Sequence, residues 1–370
     1  MGCCCKKKGV IDVNVLLEDN PEIVNNSIDI PKQENYINEI KQKMSVDNFK
    51  IIKLLGTGTF GKVLLVKLKS SNALYAMKVL NKKTLKEKEQ EIHTKNERDF
   101  MIKVSSPFVI NIKYAFQDNI NLYLVSEFMQ GGELFFHLRR KSFFTEELAK
   151  FYTVELVLAI SDIHKQDAIY RDLKPENILL DTDGHIKLTD FGLCKIVKED
   201  DKAYTICGTI YYLAPEILLN KGYQKEVDWW SLGCVVYQML EGRAPFGVPR
   251  GQLTMSYFKR PFKFTHGESA AAQDFIKSLL VFNPEKRLGY GKDGITNIQN
   301  HPFFKGIDWK KAYNKQIKPL FVPVLNNKLD LKYFDKSFTD EKVTEEDFKK
   351  KDVVDDNLNY KDFSFVDNSV

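Results

Sequence analysis

Residues 170–177 read YRDLKPEN, and they set the terms for the rest of the chain. This stretch groups Arg171, Asp172, Lys174 and Asn177, and the triplet DFG at 190–192 adds Asp190 shortly afterwards. Two carboxylates and an amide at this spacing can hold a divalent cation and orient a hydroxyl nucleophile. Working back towards the N-terminus, residues 54–66 read LLGTGTFGKVLLV, with Gly56, Gly58 and Gly61 spaced as G-x-G-x-x-G-x-V between two predicted strands. Glycines there let backbone N–H groups approach phosphate oxygens without an intervening side chain. No helix follows the last glycine directly, which separates the pattern from the dinucleotide-binding fingerprint. The next strand ends in YAMK and places Lys78 within reach of such phosphates, and the helix after it offers Glu97 as a partner.

The surrounding composition suits a globular protein. The chain has 370 residues, 43% of them hydrophobic, enough for a sizeable buried core. Its 55 basic and 50 acidic side chains leave a formal charge of +5, too small and too dispersed to make nucleic acid the principal partner. Of six cysteines, three are consecutive at Cys3–Cys5, and Cys194, Cys207 and Cys234 stand apart without zinc-type pairing, which fits a reduced, cytosolic compartment. Neither a secretory signal nor an apolar run of about 18 residues is present.

Residues 1–45 are expected to be a mobile segment carrying a candidate lipid anchor. From Phe49, the short apolar runs FKIIKLL, KVLLVKL and LYAMKVL predict an antiparallel sheet, and EIHTKNERDFMIKV predicts one main helix. After NLYLVSEF the periodicity becomes helical in TEELAKFYTVELVLAISDIHK, EVDWWSLGCVVYQMLEG and SAAAQDFIKSLL. A small sheet-rich lobe is thus expected to precede a larger helical one, in an α+β arrangement, with irregular chain after Phe304.

Glycine loop, strand lysine, R-D-L-x-x-x-N, D-F-G and Ala214-Pro215-Glu216, in that order, resemble the eukaryotic protein kinases. The resemblance implies a bilobal kinase fold over 49–304 and ATP with Mg²⁺ as cofactors. It assigns Asp172, Lys174 and Lys78 to catalysis and Asn177 and Asp190 to the metal. The nucleotide would be lined by Leu55, Gly56, Thr57, Gly58, Thr59, Phe60, Gly61, Lys62, Val63, Ala76, Glu97, Ser126, Glu127, Phe128 and Met129. Asp228 and the Arg287–Glu216 pair would be internal scaffolding of the helical lobe.

Tyr170 before the Arg-Asp pair, Thr205 ahead of C-G-T, and the segments GIDWKKAYNKQIKPLFVPV and YFDKSF resemble the AGC group of kinases. Residues 305–370 would then be that group's C-terminal extension, wrapping the small lobe and laying Phe334 over the adenine site. The ending Tyr360, Phe363, Ser364, Phe365 is similar to the hydrophobic motif of protein kinase B and the growth-factor-regulated kinases. On this resemblance Thr205 and Ser364 are phosphorylation sites served by an upstream kinase. His93, Arg171 and Lys195 would grip the phosphate on Thr205, and Phe363 and Phe365 would dock on the small lobe. Substrates would be proteins with basic residues upstream of the target Ser or Thr, met by Glu133, Glu176, Ile206, Ile210 and Leu213.

The chain departs from the group's pattern at Ile210 and Tyr211, at Gln238 in place of glutamate, and at Ser126, a small residue at the gatekeeper position. Two rival classes remain. A pseudokinase scaffold would lack Lys78, Asp172 or Asp190, all of which are present; a membrane-tethered adaptor would use the fold only to position a partner. The opening MGCCCKKK makes Gly2, Cys3, Cys4 and Cys5 candidate lipidation sites beside three lysines, although Lys6 stands where a myristoylation signal prefers Ser or Thr. The expected location is the cytoplasmic face of a membrane.

Overall fold

The computed structural model describes residues 44–58, 61–198, 201–246, 258, 261–344 and 360–367. The expected lipidation sites, Thr59 and Phe60 lie outside them.

The small lobe is one antiparallel sheet in the order β1-β2-β3-β5-β4-β11. Its strands are β1 (Phe49–Gly58), β2 (Gly61–Leu68), β3 (Leu74–Asn81), β4 (Ile112–Gln117), β5 (Asn121–Glu127) and the C-terminal β11 (Phe365–Val366). Gly58 faces Gly61 across the β1–β2 connection. A Cβ on Gly61 would sit 1.7 Å from the Val79 carbonyl oxygen of β3, so only glycine allows the strands this approach. Phe49, Phe116 and Tyr123 stack at 5.9 and 4.8 Å to fill one face of the sheet.

Two helices follow β3. A short one, α1 (Lys82–Glu87), starts where the Asn81 side chain accepts from Thr84 N. The other, α2 (Glu91–Lys103), buries Glu97, Arg98, Phe100 and Met101.

The larger lobe is built around two long helices, α4 (Glu146–His164) and α6 (Glu226–Glu241), which pack on each other. Both are buried almost all round, as continuous apolar sequence requires of a helix at the centre of a domain. Thr145 caps α4 through Leu148 N, and α6 ends at Gly242 with φ +70°. Between them in the chain come β7 (Ala168–Ile169), β8 (Ile178–Leu180), β9 (Ile186–Leu188), β10 (Lys195–Ile196) and α5 (Pro215–Leu218). Also in this lobe are β6 (Gly132–Glu133) and α3 (Leu134–Lys141), and α7 (Ala270–Leu279) packs on α6 with Ser269 as its cap.

The result is the expected small sheet lobe with one main helix, followed by a mostly helical lobe. Among the described residues no helix is long and apolar enough to cross a membrane. The tail returns to the small lobe, where β11 adds antiparallel to β4 with Phe365 opposite Ala115.

Candidate active site

The buried carboxylate of Asp228, near the start of α6, organises the catalytic stretch. It accepts hydrogen bonds from Tyr170 N at 2.9 Å, Arg171 N at 2.8 Å and His164 Nε2 at 2.8 Å. Arg171 has φ +70° and Asp190 φ +60°, a left-handed backbone that costs a non-glycine residue roughly 1–3 kcal/mol. The bonds from Asp228 hold the first of these in place.

Asp172 and its neighbours form a closed set. Lys174 Nζ donates to Asp172 Oδ2 at 2.7 Å and to Thr209 Oγ1 at 3.2 Å, and the Thr209 hydroxyl donates to Asp172 Oδ1 at 3.1 Å. Asn177 Nδ2 donates to the Asp172 carbonyl at 2.9 Å and to its carboxylate at 3.0 Å, so its amide oxygen faces away from that bond. Thr209, which the sequence did not single out, therefore links the catalytic stretch to the segment carrying Thr205.

Opposite stands Lys78 of β3. Its Nζ donates to Glu97 Oε1 at 2.7 Å and to Asp190 Oδ1 at 3.4 Å. Burial acts to lower the Lys78 pKa, but the charges of Glu97 and Asp190 override it and hold the ammonium well above its ordinary range. The Asp190 carboxyl is held below its ordinary range chiefly by the Lys78 charge, whereas burial pushes Glu97 up. The position of Glu97 is supported by stacking: Phe100, one turn further along α2, lies 5.2 Å from Phe191, and Phe191 lies 5.3 Å from Tyr170.

Gly58, Gly61, Lys62, Val63, Lys78, Asp172, Lys174, Asp190 and Thr209 line one cavity of about 470 Å³, which also reaches His93. Leu55, Gly56 and Thr57 lie on β1 beside it. A Cβ on Gly56 would meet nothing within 4 Å, and one on Gly58 only the Gly61 carbonyl oxygen at 4.0 Å, so the space over the loop is open to phosphate oxygens. Ala76 faces Ser126 across β3–β5, with Glu127 ending β5 and Met129 buried beyond. Glu127 accepts from Lys187 Nζ at 2.6 Å and from Asn111 N at 3.2 Å. Phe334 stacks on Phe128 at 5.7 Å, and Gln130 donates to the Asn327 and Asp330 carbonyls at 2.7 and 3.1 Å, binding the tail to this connection between the lobes.

Among the residues expected to meet substrate, Glu133 ends β6 with its side chain exposed, and its carboxyl is pushed up by partial desolvation and then by neighbouring Glu176. Glu176 Oε2 is buried and has no hydrogen-bond partner among the described residues. Ile206 and Ile210 are exposed and Leu213 is buried. Gln238 is also buried, and its amide oxygen accepts from Tyr212 OH at 2.6 Å.

Thr205 is exposed, and its carbonyl accepts from Tyr223 OH at 2.7 Å. Arg171 Nη1 donates to that same hydroxyl at 3.1 Å and Nε to the Leu193 carbonyl at 2.5 Å. Arg171 is thus tied to the Thr205 segment through Tyr223, a link absent from the sequence reading. His93 Nδ1 lies 3.0 Å from Gln90 Oε1, and Lys195 sits half-buried in β10, paired with β7.

At the tail, Phe363 is buried with Arg98 over its ring at 5.2 Å, while Phe365 is half-buried and Ser364 exposed. Arg98 also donates to the Asp362 carbonyl. Gln117 and Tyr360 exchange two hydrogen bonds of 2.6 and 3.1 Å, and Tyr360 OH donates to Glu91 at 3.2 Å.

The family model described as protein kinase domain matches residues 49–304. The serine/threonine-protein kinase AtPK1/AtPK6 of Arabidopsis thaliana is 43% identical over 300 residues, covering 81% of this chain and 64% of that protein. Ribosomal protein S6 kinase alpha-3 of Homo sapiens is 44% identical over 327 residues, covering 87% and 44%. The serine/threonine-protein kinase YPK1 of Saccharomyces cerevisiae is 42% identical over 332 residues, covering 89% and 47%. The chain belongs to the protein kinase family, in its AGC group. It spans less than two thirds of the length of each of these three relatives.

Proposed function

We propose that the chain is a protein serine/threonine kinase that takes ATP and Mg²⁺ and phosphorylates proteins with arginine upstream of the target hydroxyl. The observation that carries this is a cavity lined on one side by Lys78, which is braced by Glu97, and by Asp190, and on the other by Asp172, Lys174 and Thr209. ATP is the phosphoryl donor. Asp190 and the amide oxygen of Asn177 are hard oxygen donors suited to Mg²⁺, which when bound would neutralise charge on the phosphates. Lys78, kept cationic by two carboxylates, holds phosphate oxygens on the small-lobe side. Asp172 orients the target hydroxyl and takes its proton. Lys174 meets charge building on the transferring group, and Thr209 fixes both side chains relative to the substrate segment.

The buried unpaired oxygen of Glu176, beside a second carboxyl at Glu133, supports a subsite for a guanidinium, which can bind a carboxylate bidentately. Phosphate on exposed Thr205 would lie next to the Tyr223–Arg171 link, and phosphate on Ser364 beside the docked Phe363. An upstream kinase acting at both sites is the activation we propose. The test uses the purified chain after treatment with an activating kinase. Asp172→Asn should lower peptide phosphorylation by about 10²–10⁴-fold, and Thr205→Ala should withhold activation. An unchanged rate in the first variant refutes the catalytic assignment, and full activity in the second refutes the loop switch.

Attachment to a membrane surface through acyl chains on Gly2 and Cys3–Cys5, assisted by Lys6–Lys8, is proposed on the sequence alone. One myristoyl chain binds marginally, with an association constant on the order of 10⁴ M⁻¹, so the cysteines and lysines would supply the second signal. Fractionation should release Gly2→Ala and a variant with serine at all three cysteines into the supernatant. Equal partitioning of both with wild type would remove the proposal.

A further inference from the structure

The far end of α6 carries a second cluster of ligating groups. At roughly 1.5 Å per residue it lies about 20 Å along the helix from Asp228. Glu241 is the last residue of α6, and the segment 265–268 comes back across it. Thr265 donates to both Glu241 oxygens, from N at 2.5 Å and from its hydroxyl at 2.7 Å. His266 Nδ1 lies 3.2 Å from the Leu240 carbonyl and 3.8 Å from Glu241 Oε1. Glu268 Oε2 accepts from His266 N at 3.3 Å, and the Glu268 carboxyl is within hydrogen-bond reach of Glu241. One ligating atom from each of Glu241, His266 and Glu268 lies within 4.8 Å of the other two. Phe143 stacks on the imidazole at 3.9 Å and fixes its plane.

Among the described residues, little positive charge faces this arrangement. The C-terminal end of α6 carries partial negative charge and disfavours the Glu241 carboxylate, and Glu268, directly before the Ser269 cap of α7, is buried beside it; the two residues are 6% and 9% exposed. Arg243 reaches only Glu241, at 3.7 Å, from a side chain 62% exposed. Glu268 Oε1 is buried and has no hydrogen-bond partner among the described residues. A buried carboxylate oxygen left without a partner is costly and calls for a cation or a proton. One imidazole nitrogen with two carboxylates is a donor set that divalent zinc accepts, with water or a carbonyl completing a tetrahedron. Ligand atoms in such a site lie about 3.3 Å apart, from metal–ligand distances of about 2.0–2.2 Å. A bound cation would draw these atoms together from separations that now reach up to 4.8 Å.

We propose that Glu241, His266 and Glu268 form a structural site for a divalent cation of the zinc class, distinct from the nucleotide cavity, that pins the 265–268 segment to the end of α6. The site does not depend on the kinase assignment. The test is titration of the full chain with Zn²⁺ against a chromophoric chelator, after exhaustive removal of metal, for wild type, Glu268→Gln and His266→Asn. Zinc taken up by other cysteines or carboxylates is common to all three, so each variant should bind one equivalent fewer than wild type. Zinc should raise the thermal midpoint of wild type by more than that of either variant, and peptide phosphorylation without added zinc should be unchanged. Equal stoichiometry in all three overturns the site. A Glu268→Gln protein that binds as much zinc and is more stable than wild type without it shows that a shared proton, not a metal, compensates the pair.

Discussion

Replacing Phe363 by alanine tests how the tail acts on the catalytic centre. Phe363 is 1% exposed, and burying such a ring contributes roughly 1.5–3 kcal/mol. The Arg98 guanidinium over its face at 5.2 Å, itself nearly buried, adds about 1–2 kcal/mol. The tail would still be held by the Gln117–Tyr360 pair, the Tyr360–Glu91 and Arg98–Asp362 hydrogen bonds, the two residues of β11 and the partly exposed Lys113–Asp367 ion pair at 2.7 Å, the last a class of contact worth about 0–1 kcal/mol. A loss of about 3–4 kcal/mol lowers the docked population relative to the free one by about 10²–10³-fold. Because Arg98 and Glu91 both belong to α2, release of the tail frees the helix that carries Glu97, and the Lys78–Glu97 contact becomes one of several arrangements. Phosphorylation of peptide should fall by at least about tenfold, which is 1.4 kcal/mol. Hydrogen exchange in α2 and β4 should accelerate together. A peptide covering residues 360–367, added in excess, should restore part of both. Unchanged exchange and unchanged activity would refute the coupling. Lost activity with unchanged exchange in α2 would show that the tail acts by another route.

Ser126→Met should exclude nucleotide-competitive inhibitors that carry a bulky group behind the adenine, by about 10–100-fold for 1–3 kcal/mol of overlap, with little change in the KM for ATP. Equal inhibition of both forms would mean that the space behind Ser126 is closed by other side chains. The raised pKa of Glu133 gives a pH dependence: it takes up a proton while an ordinary glutamate is still charged, and protonation removes the attraction for a guanidinium. The KM for an arginine-containing peptide should therefore rise as the buffer goes from neutral to mildly acidic. The same peptide without its arginine, or the Glu133→Gln protein, should show a flatter profile; parallel profiles would contradict the subsite.

The parts legible in the sequence are those whose chemistry tolerates few residue types. Glycines at 56, 58 and 61, Lys78, the 170–177 stretch and Asp190 are the residue types that the proposed phosphate and metal chemistry would require, and long periodic segments such as 146–164 announce their helices. Contacts that join distant segments through ordinary polar residues were not legible. Thr209, Tyr223, Gln117 and Arg98 look like surface residues until the chain folds one segment against another. The helix of Lys82–Glu87 is too short to show a period and depends on its Asn81 cap. The left-handed backbone at Arg171 and Asp190 has no signature in residue type, since neither is glycine.

Helix α6 gives these separate contacts a common origin. Near its start Asp228 holds the backbone of Tyr170 and Arg171, and Ser231 donates to the Tyr212 carbonyl at 2.8 Å. Two turns on, Gln238 accepts from the Tyr212 hydroxyl, so Tyr212 is tied at both its backbone and its side chain to the helix that holds the 170–171 backbone. Glutamine at 238 supplies the acceptor that the buried Tyr212 hydroxyl needs without burying a negative charge. Since α6 is buried along nearly its whole length, the Thr265 hydrogen bonds to Glu241 anchor the far end of the same close-packed helix that carries Asp228.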